Sequence, residues 1–121
     1  IPERFVYLGR IIERTRETGQ DIILRGAPHA LVVSAPPDAP CGYEDVILSL
    51  AYFEMLAQSA GLGTVWCGLL KLTLAVVPDL KALIDLPPDH LHYCMLFGYP
   101  AVRYARTVQR DDAARVQRVE L

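Results

Sequence analysis

The residues whose types and spacing could do chemistry gather in one stretch, Ser59-Ala60-Gly61-Leu62-Gly63-Thr64-Val65-Trp66-Cys67-Gly68. Three glycines fall within eight residues and flank Val65-Trp66-Cys67. Glycine belongs where a backbone turns through positive φ or comes close to another surface. The stretch therefore reads as backbone laid against a flat ligand, although a helix capped at Gly61, a core strand and a turn satisfy the same local rules. Side chains offer weaker candidates. Ser34, Ser49 and Ser59 sit in no nucleophile-elbow pattern. His90 and His92 share a face if both lie on a strand, but no third metal ligand accompanies them. His29 follows a proline in a turn and is expected to satisfy local backbone. Cys67 reads as a small buried hydrophobe, and Glu54, the lone charge of an apolar helix, as a paired or rim carboxylate. No metal site, nucleophile or acid–base pair stands out. Backbone amides remain, and they suffice when a cofactor carries the reaction and the protein supplies binding and orientation.

The elements that must position this stretch follow from periodicity. Ile1 to Gly19 predicts an amphipathic helix, with Phe5, Leu8, Ile12 and Thr15 at helical spacing and Arg4, Arg10, Glu13, Arg14 and Glu17 on a solvated face. Asp21 to His29 is a connection with an Arg-Gly turn. Ala30 to Ala35 is a short, nearly all-apolar strand, of the kind covered on both sheet faces, and the prolines from Pro36 to Pro40 end it. The longest helix runs from Tyr43 or Glu44 to Ala60; eleven of residues 45 to 60 are apolar and surround its axis. A helix apolar on all sides is buried on all sides, which one small domain cannot arrange without a second surface. Leu69 to Val77 is ambiguous between helix and loop. Pro78 opens a short helix through Ile84, and His92 to Phe97 is a strand ended by Gly98-Tyr99-Pro100. Arg103 to Arg115 is loop-like, and Val116 to Leu121 alternates like an edge strand or arm. The order is helix, strand, long helix, strand, short helix, strand, tail. That predicts an α+β fold (an α/β layer), a small sheet covered by helices.

Composition sets the bounds. The 121 residues make a single domain, 1–121, in which 111–121 are expected to form an arm onto a dimer partner. Apolar residues at 52% and a mean hydropathy of +0.23 are rich for so small a chain, and they point to surface buried against a partner subunit or a further part of the same chain. A net charge of −2 argues against nucleic acid and anionic membranes. The arginines Arg103, Arg106, Arg110, Arg115 and Arg118 cluster near the C-terminus instead, as one small anion would require. Cys41, Cys67 and Cys94 form no Cys-x-x-Cys and no disulfide framework, so a reducing, cytoplasmic setting is expected. No apolar run reaches the ~20 residues of a membrane span. A chain beginning at Ile1 reads as a piece of something longer.

Three blocks carry a resemblance. They are Arg25-Gly26-Ala27-Pro28-His29, the glycine stretch, and Phe97-Gly98-Tyr99-Pro100 followed by Tyr104, Arg106 and Arg110. In this order they resemble the nitroreductase family of flavin enzymes, nearest the branch often fused to a ferredoxin-like iron–sulfur domain. The likeness covers nearly all of residues 20 to 110, the C-terminal half to two-thirds of a family catalytic domain. It implies a nitroreductase-like fold lacking its N-terminal part, FMN as cofactor, NAD(P)H as co-substrate, and a homodimer with the long helix in its core. Iron–sulfur clusters would belong only to a segment outside this chain. Trp66, Cys67 and Gly68 resemble the loop whose amides face the isoalloxazine edge, one N–H donating to flavin N5. Arg106 and Arg110 resemble the basic residues that hold the FMN phosphate, which suits the planar, charged guanidinium; Arg110 ranks first and Arg103 last. The family's basic Arg-Arg-Ser-type segment is not in this sequence. The implied activity is ping-pong transfer of hydride from NAD(P)H to a nitroaromatic, quinone or similar small-molecule acceptor. The alternatives are a non-catalytic flavin-binding or dimerisation module, reductive dehalogenation, or flavin breakdown.

Overall fold

The computed structural model describes residues 3–105 and 117–119. Helix α1 spans Glu3–Thr18 and buries Leu8 and Ile11 most deeply, leaving Phe5 outside that stripe. It ends where Gly19 turns into the left-handed region, its N–H donating to the Thr15 carbonyl at 2.9 Å. The following loop is organised by one carboxylate. Asp21 Oδ1 accepts from the amides of Ile23 at 3.0 Å and Leu24 at 2.8 Å. Those backbone bonds, the Leu24 amide first, hold the Asp21 carboxyl below its ordinary range. The expected Arg-Gly turn is present, with both Arg25 (φ 53°) and Gly26 (φ 71°) left-handed.

Strands β1 (His29–Ala35), β2 (Gly63–Trp66) and β3 (Leu91–Gly98) form one sheet in the order β1-β3-β2. Both pairings are antiparallel, with Val32 opposite Cys94 and Trp66 opposite Met95. The last strand in the chain is thus the central one, and Cys94 and Met95 are fully buried. Alternation along β3 divides the core into two. Met95 faces helix α2 (Gly42–Ser59), where it packs with Ala35, Val46 and Leu50. Cys94 and Leu96 face the opposite way, with Cys67, Leu74 and Leu86. Leu74 belongs to α3 (Gly68–Val76), and Leu80, from α4 (Pro78–Leu83), packs against the same cluster. The sheet is covered on both faces, as the apolar β1 sequence requires.

The expected element order needs one addition, because Leu69 to Val77 is helix and the chain carries α3 before the short α4. The end of α2 is a Schellman motif. Leu62 N–H donates to Ala57 O at 2.8 Å and Gly61 N–H to Gln58 O at 3.0 Å, with Gly61 at φ 76°. Gly63 and Gly68 do not need positive φ, so of the three glycines in the stretch only Gly61 turns the chain that way. Among the described residues, no helix is long and apolar enough to cross a membrane. Residues 117–119 are exposed and without regular structure. The rest of the expected arm, 111–116 and 120–121, lies outside the described residues.

Candidate functional site

Strand β2 is pinned from the α2 side by Glu54. Its carboxylate accepts from Thr64 Oγ1 at 3.2 Å and from Trp66 Nε1 at 3.0 Å. Thr64 and Trp66 are two apart and share a sheet face, so one mid-helix carboxylate satisfies both. The paired-carboxylate expectation for Glu54 holds, and the pairing fixes the approach to the Cys67–Gly68 turn.

At that turn the two amides differ. Cys67 N–H donates to Cys94 O at 2.9 Å, the last rung between β2 and β3. It is spent on the sheet, whereas the amide of Gly68 is not. The Cys67 thiol is also occupied: Sγ accepts from Leu70 N at 3.4 Å as the N-cap of α3, and donates to Ile23 O at 3.5 Å. Its burial agrees with the reading as a small hydrophobe. Gly68 opens α3, and the first amides of a helix have no intrahelical acceptor. Among the described residues none accepts from Gly68 N–H, and the residue is exposed. The strand-to-helix turn thus presents an open donor at Gly68.

The three blocks meet at the other end of β2. A cleft of about 440 Å³ is lined by residues of all three, among them Arg25, Pro28, Val65, Gly98, Tyr99 and Tyr104. Gly63 stands opposite Gly98 in the register. Gly98 is the close approach: a Cβ there would come within 2.7 Å of the Pro28 ring. Trp66, Cys67 and Gly68 do not line this cleft. Arg103 is exposed and does not line it either; Arg106 and Arg110 lie outside the described residues.

The histidines have separate partners. His90 Nδ1 pairs with Ser34 Oγ at 3.1 Å, and buried His92 sets Nε2 against Lys71 O at 3.3 Å. His29 stacks on Phe97 at 5.1 Å, where a backbone role was expected. The three cysteines are free, and burial pushes the Cys94 thiol up to about 12. Sequence reasoning missed Lys71 and Tyr93, which flank the Gly68 turn. An ambiguous apolar run hid the first, and only the strand pairing brings in the second.

A three-stranded antiparallel sheet between one long helix and two shorter ones defines a mixed α+β layer with its open backbone donor at a strand-to-helix turn. The nitroreductase family model matches residues 3–99, and the chain belongs to that family. Its fold is similar to that of a nitroreductase with bound FMN from Bacteroides fragilis NCTC 9343, at a TM-score of 0.62 and 22% identity over 93% of this chain and 71% of that one. No curated protein matches.

Proposed function

We propose that this chain is part of an FMN-dependent oxidoreductase that takes hydride from NAD(P)H and passes it to a nitroaromatic, quinone or similar acceptor in two alternating half-reactions. The observation that carries the reading is the family match over residues 3–99, supported by the open Gly68 amide at the turn after β2. That donor fits a flavin ring edge: it is fixed by a strand behind it and a helix ahead, and the Glu54–Trp66 pin holds the strand. FMN, when bound, supplies the two-electron chemistry. The chain's own residues do the rest. Gly68 N–H orients the ring, and Arg110, seconded by Arg106, anchors the phosphate. Arg110→Ala is expected to weaken FMN binding roughly ten- to a hundredfold, the worth of one charge-assisted pair, with little change in the bound flavin's reactivity; titration of the apoprotein checks it.

The working unit we propose is a homodimer through α2. Leu48, Tyr52, Met55 and Leu56 lie exposed along one side of that helix. The free cysteines fit a reducing, cytoplasmic setting. One observation favours a second reading, a flavin-binding or dimerisation module without turnover: Trp66, Cys67 and Gly68 do not line the cleft where the three blocks meet. A visible spectrum separates the two. Bound FMN bleached by NAD(P)H supports the enzyme, and a colourless dimer overturns it.

A further inference from the structure

Lys71 is a cation with no role in the flavin site proposed above. It lies three residues past Gly68, on the same side of α3, and helical side chains lean toward their helix N-terminus. Its ammonium is thereby carried back toward the Gly68 turn. Two aromatic faces hold it there, with Nζ 4.8 Å from the Tyr93 ring centroid and 5.4 Å from that of Tyr43. Tyr93 comes from the central strand and Tyr43 from the first turn of α2, so three elements converge on this one charge. Trp66 braces Tyr93 edge-on at 5.6 Å. The Tyr93 hydroxyl lies 3.6 Å from where a Cβ on Gly68 would stand, so the ring that holds the ammonium also borders the Gly68 turn. Among the described residues no carboxylate pairs with Lys71. A tyrosine face orients an ammonium without neutralising it, as a carboxylate would.

We propose that Lys71, held by Tyr43 and Tyr93, is the electrostatic tuning residue of the flavin site. This rests on the reading given under Proposed function. Hydride transfer from NAD(P)H leaves NAD(P)⁺ and adds one negative charge to the ring that accepts it. An unneutralised ammonium beside the Gly68 amide favours that reduced form over the oxidised one.

The test is the two-electron midpoint potential of FMN bound to the parent, Lys71→Met and Lys71→Arg proteins, with melting temperatures taken alongside. Lys71→Met should weaken the reduced form relative to the oxidised about tenfold, a fall of about 30 mV for a two-electron couple. Lys71→Arg should restore most of it. A merely structural role would lower the melting temperature of Lys71→Met and leave the potential at the parent value, and that result overturns the inference while the flavin reading stands. If the parent takes up no FMN, both fall together.

Discussion

The two sides of α2 have nearly the same composition and opposite surroundings. On the inner side Val46, Leu50 and Ala57 are buried, the first two packing with Ala35 and Met95 of the sheet. On the outer side Leu48, Tyr52, Met55 and Leu56 are 57–73% exposed. Each side is apolar enough to be a core, yet a three-stranded sheet can cover only one. The difference is what the proposed dimer would explain: the chain's own sheet covers one side of the helix and leaves the other to a second surface.

The largest expected effect breaks the inner side. Leu50 is fully buried between α2 and the sheet, so Leu50→Ala should cost about 2–5 kcal/mol through lost transfer energy and the cavity left behind. Urea unfolding of parent and variant measures it. A loss under 1 kcal/mol would mean that the inner side is not the core described.

Next comes the polar pin between the sides. Glu54→Ala leaves the Trp66 indole N–H and the Thr64 hydroxyl without their acceptor, a cost of about 1–3 kcal/mol. Trp66 is the only tryptophan, so its fluorescence reports the change directly. An unshifted emission and unchanged unfolding midpoint would show that the pin does not hold in solution.

Changing the outer side should affect the fold least and the assembly most. Tyr52→Asp with Met55→Asp should leave the intrinsic stability of the chain within about 0.5 kcal/mol, as surface substitutions do. Association should be lost, since obligate interfaces commonly bury more than ~2,000 Å² of largely apolar surface. Sedimentation should show the parent as a dimer and the variant as a helical monomer. A parent that is monomeric at micromolar concentration would remove the need for a second surface.

What the sequence disclosed followed the range of the interactions involved. The bounds of α2 were legible to within two residues because acidic residues open it and Gly61 closes it. The α3 helix was not, because its N-cap is the thiol of Cys67 rather than a serine, threonine or aspartate, and because an all-apolar run carries no period. The strand order β1-β3-β2 was hidden in pairings between residues some thirty to seventy positions apart. The fate of the Cys67 amide depended on that pairing, so local reading treated Cys67 and Gly68 as equals. Glu54 could have been assigned further: a lone carboxylate on an apolar helix, followed by Thr64 and Trp66 two apart, already offers an acceptor and two donors on one face.

The central claim is that the open amide of Gly68 is what the site uses, and one pair of substitutions isolates it. Gly68 holds the first position of α3, where proline is tolerated, so Gly68→Pro removes the N–H without breaking the helix. Gly68→Ala keeps the N–H, and its Cβ would meet the Tyr93 hydroxyl at 3.6 Å, an ordinary contact. The measurement is the rate at which NAD(P)H reduces FMN bound to each variant, with circular dichroism confirming the fold. Gly68→Ala should run near the parent rate and Gly68→Pro slower by about tenfold or more, roughly 1.4 kcal/mol of barrier. Equal rates for the folded proline and alanine variants would contradict the account.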